Sequence, residues 1–75
     1  MGWDVEVDCV GMLCPLPVLR ARKVLNGMAA GQVLALLASD AMAAVDVPHF
    51  CAQAGHVLLE AQSEGGATRY LIRHG

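Results

Sequence analysis

The stretch Gln32-Val33-Leu34-Ala35-Leu36-Leu37-Ala38 decides how this sequence is expected to fold. After Gln32 every side chain is apolar, and such a continuous run is typical of a strand buried on both faces of a sheet. A strand of this kind pairs in parallel with a neighbour through a crossover connection, usually a helix. The run therefore predicts a central strand that is parallel to a first strand preceding it.

The residues before this run supply the first strand and the crossover helix. Residues 3–9 alternate between apolar and polar side chains, which predicts a half-buried strand. One face of that strand would carry Trp3, Val5, Val7 and Cys9. Residues 15–28 change to a helical period, and their apolar stripe consists of Val18, Ala21, Leu25 and Met28. Gly27 or Gly31 is expected to end this helix in a left-handed conformation.

The residues after the run predict a second helix and a hairpin. Ser39 and Asp40 are expected to cap a short helical stretch over 41–45. Asp46 would then cap a second helix that has Pro48 in its first turn and runs to about Ala54, where Gly55 ends it. Residues 56–63 and 67–73 are predicted to be strands, joined by a hairpin turn at Glu64-Gly65-Gly66.

The predicted order of elements, β-α-β-α-β-β, places the chain in the α+β class. Two helices are expected to cover one face of a four-stranded mixed sheet, which makes a two-layer α/β sandwich. Since the chain has 75 residues and no linker or low-complexity tract, residues 1–75 are predicted to form a single domain.

Composition and charge argue against several classes of function. A net charge of −2 and a pI near 5.8 do not favour nucleic acid as a partner. The longest charge-free run, residues 24–39, is too short to span a bilayer, so no membrane is expected. The start of the chain lacks the basic and apolar segments of a secretory signal, and its three cysteines cannot all pair. Both features predict a cytoplasmic protein with reduced thiols.

The candidate site is Cys14-Pro15-Leu16-Pro17, at the start of the first helix. Cys14 is predicted at the N-cap, with Pro15 and Pro17 at positions where a missing N–H is tolerated. The Leu16 N–H is then the donor available to the sulfur. That donor and the helix dipole would stabilise a thiolate and lower the pKa of Cys14. Cys14 is thus the candidate catalytic residue, and Pro15, Leu16 and Pro17 are the motif that positions it.

Cys14 also has a simpler interpretation, as a small apolar residue in the core with prolines that only begin the helix. Thioredoxin-like chemistry is not expected, because Pro17 occupies the position of the second cysteine in a CxxC motif.

The stretch Gly11-Met12-Leu13-Cys14-Pro15-Leu16-Pro17-Val18 resembles the G-L-x-C-P-x-P signature of the TusA/SirA family of sulfur-carrier proteins. The resemblance covers nearly the whole chain, and the predicted order of elements agrees with that family. It continues through Ala38-Ser39-Asp40, Asp46-Val47-Pro48-His49-Phe50-Cys51, Gly55-His56 and Tyr70-Leu71-Ile72-Arg73.

This resemblance implies a sulfur carrier that accepts sulfur as a persulfide on Cys14. The implied donor is a cysteine desulfurase or a rhodanese-like protein, and the sulfur passes to an acceptor protein in tRNA thiolation or dissimilatory sulfur oxidation. The carrier would be a substrate of other sulfurtransferases more than an enzyme by itself. No cofactor is implied besides the covalent persulfide sulfur.

Two functions of another class stay open. The protein could be a binding or regulatory module that docks through Leu13 and Leu16 and leaves Cys14 unused. It could also be a thiol-redox switch that uses Cys9 or Cys51, although both are expected in or near the core.

The remaining chemistry-bearing residues have structural interpretations. Asp40 and Asp46 are expected to be helix caps rather than an acid–base pair. A solvated face, or a dock for an acidic partner, is expected for Arg20, Arg22 and Lys23. A metal site is not expected, because the spacing typical of zinc ligands is missing from His49, His56 and His74.

Overall fold

The structure is a computed structural model that describes residues 2–75. The elements in chain order are β1 Val5–Cys9, α1 Leu16–Asn26, β2 Val33–Ala38, α2 Ala43–Ala54, β3 Val57–Glu64 and β4 Ala67–Arg73. Within these residues, neither helix is long and apolar enough to cross a membrane.

The four strands form one mixed sheet in the order β1-β2-β4-β3. β1 and β2 are parallel, whereas β4 is antiparallel to both of its neighbours, β2 and β3. The apolar run that makes up β2 is therefore a central strand, parallel to the first. The predicted α+β fold, with two helices and a four-stranded mixed sheet, is confirmed.

The core lies between the two helices and one face of the sheet. In β2, Leu34 pairs with Val5 and Ile72, and Leu36 pairs with Val7 and Tyr70, so these side chains share a face. The helices add their own buried residues to the same cluster, namely Ala21 and Leu25 from α1 and Ala43, Val47, Phe50 and Cys51 from α2. Each fully buried leucine or isoleucine stabilises the fold by about 2 kcal/mol.

Trp3 does not share the helix-facing side of the sheet. Arg69 lies on the opposite face, since its neighbour Tyr70 is in the core, and its guanidinium is 4.7 Å from the centroid of the Trp3 ring. The prediction that Trp3 shares a face with Val5 and Val7 is wrong. The reason is that β1 begins at Val5, so the alternation of the strand does not extend back to Trp3.

Helix α1 begins later than predicted. The Leu19 N–H donates to the Pro15 carbonyl at 3.1 Å, so Pro15, not Cys14, is the N-cap residue. Pro17 is the second helical residue and is buried. At the other end, of the two glycines expected to be left-handed, Gly27 follows the last helical residue with a φ of −95°, and Gly31, in the connection to β2, has a φ of +87°.

Helix α2 begins earlier than predicted, at Ala43 rather than after Asp46. Its first turn is tightened by i→i−3 bonds, including Ala43 N–H to the Asp40 carbonyl at 3.0 Å. Pro48 lies inside this helix, so the short stretch before it and the helix after it form one element. Asp46 is therefore in the first turn and does not cap α2.

The hairpin between β3 and β4 forms as predicted. Gly65 and Gly66 connect the strands, and their φ angles of +46° and +63° suit the two-residue type I′ turn that matches the twist of a hairpin. β3 is an edge strand, and its register shifts between Leu58 and Glu60. Such an irregularity helps to prevent an edge strand from pairing with another chain.

Candidate functional site

Cys14 lies at the edge of the sheet where the two parallel strands end. Cys9, the last residue of β1, pairs with Ala38, the last residue of β2, so the loops after both strands leave from the same edge. Ligand and reaction sites of open α/β sheets commonly lie outside the carboxyl ends of parallel strands. The first of these loops carries Cys14, and the second carries Ser39 and Asp40.

The loop that carries Cys14 is fixed by side chains of the second loop. The Gly11 N–H donates to Ser39 Oγ at 2.8 Å, and the Cys14 N–H donates to Asp40 Oδ2 at 2.6 Å. Gly11 has a φ of +86°, a conformation that glycine adopts without strain. Asp40 also accepts the Met42 N–H on Oδ1 at 3.2 Å, so one carboxylate holds both loops. These bonds place the main chain of Cys14 in one position.

The thiol of Cys14 is exposed and donates a hydrogen bond to Asp46 Oδ2, with 2.6 Å between sulfur and oxygen. This bond is the main reason that the pKa of Cys14 is raised above its ordinary value. Partial desolvation and the negative charges of Asp46 and Asp40 act in the same direction. A carboxylate that accepts from the thiol stabilises the protonated form, so the free protein holds Cys14 as a thiol.

The prediction that Leu16 N–H stabilises a Cys14 thiolate is wrong. Leu16 N–H instead donates to the Leu13 carbonyl at 2.9 Å, in a turn that precedes α1. Cys14 lies one residue before the N-cap, and its sulfur bonds a carboxylate of the other helix rather than a free N–H. The predicted lowering of the pKa of Cys14 is therefore also wrong, because the side chain meets an acceptor where a donor was expected.

The three residues after Cys14 differ in their surroundings. Pro15 is the N-cap of α1 and follows a cis peptide bond, and Pro17 is buried against the core side of the helix. Leu16, between them, is 52% exposed. The two prolines thus belong to the start of the helix, while Leu16 is presented to solvent beside the thiol.

Exposed apolar side chains are concentrated at the sheet edge that carries Cys14, and together they form the apolar patch of this protein. Six of the eight exposed large apolar side chains in residues 2–75 lie on the loops and first helical turns at this edge. The patch consists of Val10, Leu13, Leu16, Leu19, Met42 and Val45. Leu13, next to Cys14 in the chain, is 70% exposed, the largest value among them. Exposed apolar side chains grouped at one edge of a small protein are typical of an interaction site.

A groove of about 220 Å³ runs from Cys14 between the two helices. Asp46 and His49 line it from α2, and Arg22 lines it from α1. The Arg22 guanidinium lies 5.3 Å from the centroid of the Phe50 ring in a cation–π contact. Arg20 and Lys23 border a different cavity, together with Leu16 and Leu19. The predicted basic cluster of α1 is therefore divided between two sides of the helix.

The other two cysteines are core residues, as predicted. Cys9 is 0% exposed and Cys51 is 2% exposed, and all three cysteines are free thiols. Burial raises the pKa of both buried thiols by disfavouring the thiolate. Within residues 2–75, no three His, Cys, Asp or Glu side chains are grouped as metal ligands would be. The His56 and His74 rings do contact each other, with centroids 4.8 Å apart.

Asp46 is the residue in contact with the Cys14 thiol, and the sequence prediction missed it. Its place before Pro48 predicts a helix cap, whereas its contact with Cys14 spans 32 positions of the chain. A usable signal is present, since an acidic residue in the first turn of a helix that starts from the same sheet edge faces the neighbouring loop. Using that signal depends on placing the start of α2 at Ala43. The sequence favours a later start, because prolines usually occur in the first turn of a helix and Pro48 lies five residues further on.

Comparison with known proteins identifies the family. A sequence profile for the family described as sulfurtransferase TusA matches residues 5–74. The chain belongs to the TusA family. It is 45% identical over 71 residues to a sulfur carrier protein TusA of Allochromatium vinosum, and the match covers 95% of this chain and 93% of that protein. It is also 46% identical over 68 residues to a putative sulfur carrier protein of Neisseria meningitidis, with 91% and 92% covered.

The fold of this TusA-family chain also matches a solved structure. The crystal structure of a SirA-like protein from Desulfitobacterium hafniense superposes with a TM-score of 0.85 at 26% identity. The superposition covers 96% of this chain and 99% of that one. The predicted TusA/SirA family is confirmed by both the sequence match and the fold.

Proposed function

We propose that this TusA-family protein is a sulfur carrier that holds sulfur as a persulfide on Cys14. The observation that carries the proposal is that Cys14 is the exposed cysteine of the three, on a loop fixed by Ser39 and Asp40. The relatives named as sulfur carriers support the same role. A carrier needs a thiol that partner proteins can reach, and Cys9 and Cys51 are both buried.

Sulfur loading at Cys14 needs no metal or redox cofactor. The sulfur of Cys14 attacks the terminal sulfur of a donor persulfide, and a new sulfur–sulfur bond forms as the donor's own bond breaks. The donor cysteine leaves as a thiolate and takes up the proton that Cys14 gives away. Unloading is the same exchange, in which an acceptor thiolate attacks the terminal sulfur and Cys14 departs.

The partners of this reaction are a sulfur donor protein, of the cysteine desulfurase or rhodanese-like class, and a sulfur acceptor protein. The apolar patch around Cys14 supports docking of both, since each must bring a sulfur atom into contact with the thiol. Pro15 and Pro17 set the start of α1 beneath the thiol, and Leu16 contributes to the patch. This exchange serves either pathway that the family resemblance implies, tRNA thiolation or dissimilatory sulfur oxidation.

The alternative functions have less support. A thiol-redox switch would need Cys9 or Cys51 to reach Cys14, but both are buried in the core. A binding module would use the same apolar patch without transferring sulfur. That alternative makes the opposite prediction for the experiment that follows.

The test is sulfur loading followed by intact mass. The protein is incubated with a cysteine desulfurase and cysteine, or with a rhodanese and thiosulfate, and then measured under non-reducing conditions. We expect a gain of one sulfur atom that dithiothreitol removes. The gain is lost in Cys14→Ser and kept in Cys51→Ala, the matched change of a buried cysteine. If neither donor class adds sulfur, or if Cys14→Ser still gains it, the carrier function is wrong.

A further inference from the structure

The thiol of Cys14 is held by a carboxylate whose position is fixed by the core. Asp46 lies in the first turn of α2, and the next residue, Val47, is 0% exposed, with Phe50 and Cys51 also buried one turn later. α2 is thus anchored directly behind the carboxylate. Asp46 Oδ2 accepts a hydrogen bond from the Cys14 thiol, while Asp40 Oδ2 accepts one from the Cys14 N–H. Two carboxylates are therefore directed at one residue, one at its main chain and the other at its thiol.

This arrangement opposes the reactivity that a carrier needs. The thiolate is the nucleophile in sulfur exchange, and a thiol bonded to a carboxylate is stabilised in its protonated form. The other ionisable side chains of the groove are Arg22, from α1, and His49, from α2. Arg22 is already engaged with the Phe50 ring, 5.3 Å from its centroid. In the free protein the dominant contact of the sulfur is thus with Asp46.

A docked partner changes the energetics of Asp46. Any protein that reaches the Cys14 sulfur also covers the Asp46 oxygen, which is 2.6 Å away. The surrounding patch, which includes Leu13, Met42 and Val45, would exclude water from both groups. A carboxylate removed from water is strongly destabilised unless a cation or several donors pair with it. An interface built over Cys14 must therefore supply partners for Asp46. Arginine suits a carboxylate best, because it provides the cation and several donors in one side chain.

We propose that Asp46 is a positioning residue that holds Cys14 as a thiol in the free protein and releases it when a cationic side chain of a partner protein pairs with the carboxylate. The inference rests on the proposed carrier function. Once the carboxylate is paired with the cation, the thiol loses its acceptor and its nearest negative charge is neutralised. The sulfur of Cys14 then attacks the donor persulfide, and its proton leaves with the departing donor thiolate. Sulfur exchange is thereby favoured only where a matching partner is docked.

The experiment compares a small probe, which cannot supply the cation, with a protein donor, which can. The first measurement is the rate of Cys14 alkylation by iodoacetamide as a function of pH, in the wild type and in Asp46→Asn. We expect Asp46→Asn to react about fivefold faster at pH 7, the factor that corresponds to one net hydrogen bond. We also expect its pH profile to move to lower pH. Glu60→Gln, which removes an exposed carboxylate of β3, is the matched control and keeps the wild-type profile.

The second measurement is the rate of sulfur loading from the protein donor. Loading of Asp46→Asn is expected to become slower and less sensitive to salt, since an ion pair between the partners is lost. Asp46→Glu restores the charge and is expected to restore both wild-type rates. Opposite changes in alkylation and loading support the inference, whereas a purely structural role of Asp46 would lower both.

Two results would overturn the inference. One is an alkylation profile of Asp46→Asn that matches Glu60→Gln, and the other is loading that keeps its wild-type rate and salt dependence. If Asp46→Asn fails to fold, Asp46→Ala takes its place, and the same outcomes support or overturn the inference. The alkylation measurement uses no sulfur donor. It therefore tests the contact between Asp46 and Cys14 even if the protein proves not to be a sulfur carrier.

Discussion

Cys14 and Cys51 both have a raised pKa, but the causes differ. Cys51 is 2% exposed in the core, and burial alone disfavours its thiolate. Cys14 is exposed, and its thiol is stabilised mainly by the hydrogen bond to Asp46. The burial of Cys51 is lost only on unfolding, whereas the hydrogen bond of Cys14 is lost when another group pairs with the Asp46 carboxylate.

This difference separates a structural thiol from one that can be switched on. Desolvation is a property of the whole core and protects Cys51 from nucleophilic chemistry as long as the protein is folded. A single surface hydrogen bond is local and reversible, and a partner can replace it without disturbing the fold. pKa shifts in the same direction can therefore accompany opposite roles, and the cause of the shift is more informative than its direction.

The largest expected effect is on accessibility to alkylation in the native protein. A buried thiol reacts only in molecules that have opened, so Cys51 is expected to react on the order of 1000-fold more slowly than Cys14. Iodoacetamide labelling, with the labelled peptides quantified by mass spectrometry, checks this. Cys9 is expected to follow Cys51, and the difference should disappear in denaturant. If Cys51 and Cys14 are labelled at comparable rates in the native protein, the distinction between a buried and an exposed thiol is wrong.

The next effect is on stability. Cys51→Ser places a hydroxyl in an apolar site and is expected to lower the free energy of unfolding by about 1–3 kcal/mol. Cys14→Ser changes an exposed side chain that can still donate to Asp46, so stability should not change measurably. Urea unfolding of both variants, with Cys51→Ala as the control for lost packing, measures the difference. Equal destabilisation by the two serine variants would contradict the assignment of Cys51 to the core.

The smallest effect concerns His56. Burial disfavours the charged form of this side chain as it does for Cys51, but for a base this lowers the pKa. Its Nδ1 accepts the Gly75 N–H at 3.0 Å, and burial together with the nearby His74 lowers the pKa of His56. Between that lowered pKa and the ordinary value near 6.5, the unfolded chain binds more protons than the folded one. Stability should therefore fall as the pH decreases below about 6.5.

Thermal unfolding between neutral and mildly acidic pH checks this dependence. His56→Gln is expected to have a flatter pH dependence than the wild type, and His49→Gln, the change of an exposed histidine, serves as the control. If stability changes with pH equally in His56→Gln and in the wild type, the lowered pKa of His56 does not contribute to the pH dependence of stability.

The elements of the fold were predictable because their signals are local. The alternation in β1, the apolar run of β2 and the double glycine of the hairpin each specify one element within a few residues. The helix starts were less predictable, since prolines permit several registers. The motif predicts Pro15 at the first helical position, but it is the N-cap of α1. Pro48 predicts a helix start close before it, but α2 begins at Ala43.

The sequence by itself determined the order of elements, the central parallel strand and Cys14 as the candidate residue, because periodicity, turn residues and motif spacing are properties of neighbours in the chain. Only the tertiary structure decided what the thiol contacts. The pairing of β1 with β2 brings two loops to one edge, and the packing of Val47 and Phe50 orients α2 so that Asp46 meets Cys14. A contact between residues 32 positions apart depends on that packing. This contact raises the pKa of Cys14, where the sequence predicts a lowered one.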